Sequence, residues 1–310
     1  MRRVLSLLAG IVLASGFVWA GGQGESGDLS GTIRIAGSST VYPITVAMAE
    51  EFNRIQPGVQ IAVQSTGTGG GFTNFFIPGK TEINDASRPI KESELEQVRA
   101  QGDDALEFQV AIDAVTVVVN PHADWVDDVT IEQLRHIWRP DDPAQKWSDV
   151  DPSWPDEPFE LYGPTSASGT FDFFTEKVMG EEDLSRSDYQ GTEEDNTIVQ
   201  AVSGSKYALG YFGMAYYLEN TNRVKALKVN GVAPSLETAR TYEYPLSRPI
   251  FIYVRKSALA RPEVAAFVRF YIERTNSSLI SEIGYVPVTD EVVKENLAKL
   301  EKAIAEVSKK

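Results

Sequence analysis

The chain has 310 residues, no cysteine, two histidines and a formal net charge of −15. Without cysteine there are no disulfides, thiolate metal sites or cysteine nucleophiles, and the acidic balance argues against nucleic acid or an anionic membrane as a partner. His122 and His136 lack zinc-binding spacing, so both are read as surface residues and neither a metal nor another cofactor is expected.

At the N-terminus, Met1-Arg2-Arg3 forms a positive n-region, Val4 to Val18 an apolar stretch, and Val18-Trp19-Ala20 a small-x-small cleavage pattern. The pattern predicts a signal peptide over residues 1–20, cut after Ala20. Its apolar run falls short of the roughly 20 residues that a span requires. Residues 21–30, beginning Gly21-Gly22-Gln23-Gly24, read as a flexible linker. With no cysteine to acylate, the mature chain is expected to be soluble and exported to the periplasm. Losing Arg2 and Arg3 with the leader takes the net charge to −17. An anionic ligand would therefore bind against the long-range field, by short-range hydrogen bonding.

Strands and helices then alternate. Thr32 to Ala36 is a strand, followed by Gly37-Ser38-Ser39-Thr40 and an amphipathic helix through Phe52. Val59 to Gln64 is a second strand, ending in Ser65-Thr66-Gly67-Thr68-Gly69-Gly70-Gly71, with Phe72 onward helical. Ile83 to Ala86 is a third, ending at Ser87-Arg88-Pro89 before the acidic helix Glu92 to Arg99. Such a βαβα series predicts a parallel sheet flanked by helices. The β-rich run Ala111 to Val119 is read as a strand crossing between two lobes, and Tyr244 to Val254 as the return crossing. Between them, Phe159 to Tyr162 and Ala208 to Phe212 are strands of a second α/β unit. The expected organisation is α/β and two-lobed, with lobe I over 31–112 and 245–310 and lobe II over 113–244. The Asp- and Pro-containing stretch from Trp138 to Trp154 is expected to be a surface excursion anchored by its aromatic residues.

Four segments share one logic: Gly37-Ser38-Ser39-Thr40, Thr66 to Gly71, Ala86-Ser87-Arg88-Pro89 and Ser166-Ala167-Ser168-Gly169-Thr170. In each, small hydroxyl residues, most with glycine, follow a strand end and lead into a helix or turn. The first N–H groups of a helix have no intrahelical partner and sit at the positive end of the peptide dipoles, so such a start accepts anions. Taken singly, each could be a plain helix cap. Together, on two lobes beyond the carboxyl ends of strands, they suit a tetrahedral oxyanion, and Arg88 offers a bidentate fork. The glycine run lacks Gly-Lys-Ser/Thr and the dinucleotide spacing, which argues against a nucleotide site.

Ala-Gly-Ser-Ser-Thr-Val-Tyr-Pro, Ser-Thr-Gly-Thr-Gly-Gly-Gly, Ala-Ser-Arg-Pro-Ile and Tyr-Gly-Pro-Thr-Ser-Ala-Ser-Gly-Thr-Phe-Asp-Phe-Phe occur in this order, followed by Glu193-Glu194-Asp195-Asn196 and Ala208 to Gly213. The ordered set resembles the phosphate-binding subunit of Pst-type ABC importers over nearly the whole mature chain. The resemblance implies a type II periplasmic-binding-protein fold with two interdomain crossing segments. It also implies a monomer that captures inorganic phosphate and delivers it to the permease subunits of the importer, without enzymatic activity. By position it implies phosphate contacts from Ser39, Thr40 and Val41, from Thr68 and Gly69, from Ser87 and Arg88, and from Ser168, Gly169 and Thr170. Two departures stand out: enteric members carry an arginine where this chain has Pro164 and an aspartate where it has Arg88. That aspartate accepts the proton of hydrogen phosphate, so another carboxylate must do so here. Asp85, Asp113 and the cluster at 193–195 are candidates, with Asp195 favoured beside Asn196 at the start of a helix.

Two other functions share part of this pattern. A sulfate, molybdate or tungstate receptor would use related loops without a proton acceptor. A secreted phosphatase would need a nucleophile with a base or metal, and no such pairing is apparent; Ser38 and Ser39 lie in no Gly-x-Ser-x-Gly elbow.

Overall fold

In strand β1 (Gly31–Gly37), Ile33 and Ile35 are buried while Thr32 and Arg34 are exposed, the alternation of a strand with one face in the core. Helix α1 (Tyr42–Ile55) follows, with Ile44, Met48 and Phe52 buried at helical spacing. The computed structural model describes residues 29–166, 168–192 and 194–309; the leader, most of the linker, Ala167 and Glu193 lie outside the described residues. β2 (Val59–Ser65) and β3 (Ile83–Ala86) flank β1 in parallel. Between them come the short helix α2 (Thr68–Gly71) and one π-helical turn over Phe72–Phe76. Helix α3 (Glu92–Ala100) leads into β4 (Ala105–Val119).

Beyond β4, the chain forms β5 (Asp128–Val129), α4 (Ile131–Trp138), α5 (Trp147–Val150), β6 (Glu160–Gly163) and α6 (Gly169–Met179). It continues through β7 (Gln190–Gly191), α7 (Asp195–Gly204), β8 (Ala208–Gly213), α8 (Met214–Glu219), β9 (Lys225–Ala226), β10 (Lys228–Val229) and α9 (Leu236–Arg240). It returns on β11 (Ser247–Arg255) and ends with α10 (Pro262–Arg274), α11 (Ser278–Glu282) and α12 (Asp290–Val307). Among the described residues no helix is long and apolar enough to cross a membrane.

One sheet runs through the molecule in the order β2-β1-β3-β11-β4-β8-β6-β7, with β9 added on β4. β1, β2 and β3 are parallel, as the βαβα series predicts, and the crossing strands make the sheet mixed: β11 is antiparallel to both β3 and β4, and β4 is antiparallel to β8. An outgoing and a returning crossing that lie side by side must run in opposite directions. β4 also starts six residues before the expected crossing, because Ala105 to Gln109 pair with Phe251 to Arg255. From Val110 to Val119 every residue of β4 is buried, as expected for a strand covered on both faces.

The largest buried apolar clusters lie on either side of this crossing. One combines Ile33, Ile44, Phe52, Phe108, Ile252, Phe267 and Leu300; the other combines Val115, Leu134, Trp138, Trp147, Phe174, Tyr211 and Leu246. The tryptophan stretch is anchored as expected. Trp138 and Trp147 are fully buried, and Trp138 meets Phe174 and Tyr211, themselves stacked 3.8 Å apart.

Candidate anion site between the lobes

The first three loops converge at one end of lobe I. Ser38 N–H bonds to the Asp85 carbonyl (2.9 Å), and Ser38 Oγ accepts from Thr40 N–H (3.1 Å), so the turn after β1 is fixed by its own serine. α1 starts behind Val41 without a side-chain capping bond. Val41 is buried and its side chain packs in the lobe I core, which leaves its backbone as its polar contribution. α2 likewise starts behind Gly67 with no side-chain cap. At Gly71 a Cβ would stand 2.6 Å from Gly37 Cα, so glycine is what lets α2 lie against the end of β1. Thr68 Oγ1 accepts from Ser87 N–H (3.0 Å) and lies 2.9 Å from Ser87 Oγ, joining the second loop to the third.

Arg88 stands beside Gly69, whose Cβ position is 3.6 Å from Nη2. Its fork is engaged by Glu94 at 3.0 and 2.8 Å. Burial pushes the Glu94 carboxyl upward, but the Arg88 and Lys91 hydrogen bonds outweigh it and hold the group below the usual carboxylate range. The charge of Arg88 is therefore already matched inside lobe I.

From lobe II, α6 presents its N-terminus to α1. Ser168 Oγ caps it by accepting from Thr170 N–H (3.2 Å). Thr40 Oγ1 donates to the Gly169 carbonyl (3.4 Å), and Ser39 Oγ donates to Asp172 Oδ2 (2.5 Å). Tyr285 O–H closes the floor by donating to the Thr40 carbonyl (2.6 Å). Asp195 is the first residue of α7 and half-buried, and its negative field reaches the Tyr285 phenol. Asn196, by contrast, is exposed and its Oδ1 accepts from Arg223 (3.3 Å), so its side chain is turned to the surface.

Three charged groups at this junction, Arg248, Asp172 and Glu176, were not anticipated from the sequence, and they surround Asp113, one of the candidate proton acceptors. Arg248 and Asp113 pair opposite each other on β11 and β4, with Nε 3.2 Å from Oδ2. The Arg248 fork reaches Glu176 Oε2 (2.5 Å) and Thr40 Oγ1 (3.2 Å), and its plane lies over Phe173 at 4.2 Å. Asp172 and Glu176 come from one face of α6. Burial pushes Asp113 up to about 6 against the pull of Arg248, and burial raises Asp172 despite the Ser39 bond. One signal was available: Ser-Arg-Pro-Ile occurs twice, at 87–90 and at 247–250. The second copy sits in an otherwise apolar strand, where a buried arginine demands partners. Asp85, a candidate proton acceptor, instead faces Thr45 Oγ1 (3.0 Å) beneath α1, next to the Tyr271 hydroxyl.

Comparison with known proteins follows the same lines. A family profile for a PBP superfamily domain matches residues 22–275. The chain is 44% identical over 279 residues to protein SphX of a Synechocystis strain, covering 87% of this chain and 82% of the relative. It is 36% identical to the phosphate-binding protein PstS of Staphylococcus saprophyticus, covering 97% and 94%. Among solved structures it is similar to a possible phosphate binding protein from Planctomyces limnophilus, with TM-score 0.85, 46% identity and coverage of 89% and 99%. It is also similar to an ABC-type phosphate transport receptor from Vibrio cholerae, with TM-score 0.65, 25% identity and coverage of 82% and 99%.

Proposed function

Because this chain belongs to the PstS family of phosphate-binding proteins within the PBP superfamily, we propose that it captures inorganic phosphate between its lobes for delivery to an ABC importer. The observation that carries the reading is the meeting of two helix N-termini, α1 of lobe I and α6 of lobe II, at Thr40 and Gly169. Both offer backbone donors and the positive ends of helix dipoles to one small anion. Ser39, Thr40 and Val41, Thr68 and Gly69, Ser87 and Arg88, and Ser168 to Thr170 form the proposed donor set. Asp195 is the proposed acceptor of the ligand's proton, while the Asn196 side chain has no contact that supports a ligand role.

The carboxyl groups around the cleft favour phosphate over sulfate. An ionised carboxylate rewards an anion that still carries a proton and repels one that is only an acceptor. The named PstS and receptor relatives are binding proteins, and we read this chain in the same way, as a protein that holds its ligand unchanged. The N-terminal charge and apolar pattern support export and cleavage after Ala20, and by its family we read the mature chain as a periplasmic monomer that docks on permease subunits.

Calorimetric titration of refolded, ligand-stripped protein with phosphate tests the proposal, with sulfate as competitor at neutral pH. Saturable binding of phosphate that sulfate fails to displace is the expected result. Absence of phosphate binding, or tighter binding of sulfate, would overturn it.

A further inference from the structure

We propose that Arg248, delivered by the return crossing strand, is the residue whose full positive charge meets the bound oxyanion. The inference rests on the reading of the cleft as a phosphate site. Arg248 is only 7% exposed and its guanidinium touches the two lobes and the crossing at once: Thr40 of lobe I, Glu176 of lobe II and Asp113 of β4. Thr40 Oγ1 in turn donates to Gly169 at the start of α6, so one hydroxyl separates the guanidinium from the helix N-termini that would hold the ligand. A guanidinium has five N–H donors. Among the described residues Nε, Nη1 and Nη2 each make one of these contacts, which leaves two N–H groups of the fork uncommitted. Phe173 and Asp113 fix the plane and the Nε edge, so those two groups are directed by the fold rather than by a flexible stem.

Arg88 is placed differently. Glu94 holds both of its terminal nitrogens in a two-pronged pair, and Arg88 Nη1 also donates to its neighbour's carbonyl at Pro89. Among the described residues Arg88 also keeps two uncommitted N–H groups, but Glu94, whose side chain is only 10% exposed, stays packed on its fork and balances the charge that a ligand would meet. Recruiting Arg248 requires at most that Glu176, whose side chain is 41% exposed, swings off Nη1 toward solvent. Phosphate then takes the place of that carboxylate on the same nitrogen.

Removing Arg248 alone would strand Asp113 in the crossing, so the measurement is made in a background where that partner is already neutral. Phosphate affinity is compared by calorimetry between Asp113→Asn and Asp113→Asn/Arg248→Gln, with thermal unfolding of both recorded without ligand. A loss of tenfold or more on removing Arg248, with similar unfolding midpoints, is expected. Equal affinities in the two variants overturn the proposal while leaving the phosphate reading intact, whereas a wild type that does not bind phosphate overturns that reading instead. Arg248→Lys gives an independent measure, because it keeps a cation beside Asp113 and loses the fork. Tenfold weakening with an unchanged midpoint supports the assignment, and wild-type affinity contradicts it. Arg88→Gln completes the set: a loss seen there and not at Arg248 returns the role to Arg88.

Discussion

Asp85 and Asp113 are both strand carboxyl groups in the interior, but they have different company. Asp113 has the Arg248 cation at 3.2 Å, whereas Asp85 has the Thr45 hydroxyl at 3.0 Å. Burial accordingly pushes Asp85 up to about 8, with the Thr45 bond opposing it. An unfolded Asp releases its proton near pH 4, so between about pH 4 and 8 the native chain holds a proton that the unfolded chain lacks. The stability from this group is full below that window and declines through it, by up to about 1.4 kcal/mol per pH unit. Asp85→Asn removes the titration. Its unfolding midpoint relative to wild type should rise steadily from pH 5 to pH 8. A constant offset across that range would mean that Asp85 does not titrate this way. Asp195 raises a different question, since selectivity requires a carboxylate that meets the ligand and not the core. Asp195→Asn is expected to weaken phosphate and narrow its preference over sulfate, because the amide can donate to sulfate as the carboxylate cannot. Competition titrations on Asp195→Asn, Asp172→Asn and wild type check this. If only Asp172→Asn narrows the ratio, the acceptor is the α6 carboxyl bonded to Ser39.

At the scale of elements, α6 forms the contact between the lobes. A Cβ at Gly169 would stand 2.5 Å from Thr40 Cα and 2.9 Å from Thr40 N, too close to rigid backbone to be absorbed by a side chain. Yet Gly169 is the first residue of α6, where alanine is the better helix former. Gly169→Ala should therefore leave lobe II as stable as before and hold the lobes apart. The expected outcome is phosphate affinity reduced at least tenfold, with the ligand-free unfolding midpoint kept within a few degrees. Unchanged affinity would show that the close approach is not needed for binding. Much of this element was legible in the sequence, because helix N-termini that face anions draw on contiguous glycine and hydroxyl residues, as in Ser168-Gly169-Thr170. The same holds for the loops after β1, β2 and β3. Less legible were groups that reach the cleft from the middle of an element. Asp172 and Glu176 lie a turn apart on α6 and look like ordinary surface acids in one dimension, and Arg248 lies within an apolar strand. Both crossings were legible, but not how they pair with their neighbours, because periodicity marks a strand but carries no direction.

At the scale of the molecule, the lobes share one sheet yet are joined by few polar contacts across the cleft. Among the described residues they include Ser39 to Asp172, Thr40 to Gly169 and the reach of Arg248 to Glu176, with Gln109 to Tyr242 and Arg240 to Pro287 also linking the lobes. A net hydrogen bond contributes only about 0.5–1.5 kcal/mol, or about 1.5–3 kcal/mol when one partner is charged. Contacts on that scale are a weak latch against the entropy of opening and the hydration of the carboxylates. β11 is paired with β4 over Ala105 to Ala114, so the two can bend and twist as a two-strand hinge without losing their pairing. A ligand held by both helix N-termini binds only the closed arrangement well, and it shifts the population by the difference in its affinity for the two forms. The ligand-free protein should therefore contain an open population, and phosphate should draw it closed. Small-angle scattering is expected to give a smaller radius of gyration with saturating phosphate than without it. Gly169→Ala should show no such contraction. Superimposable wild-type curves in the two conditions, under concentrations where calorimetry reports full occupancy, would exclude closure as the means of capture.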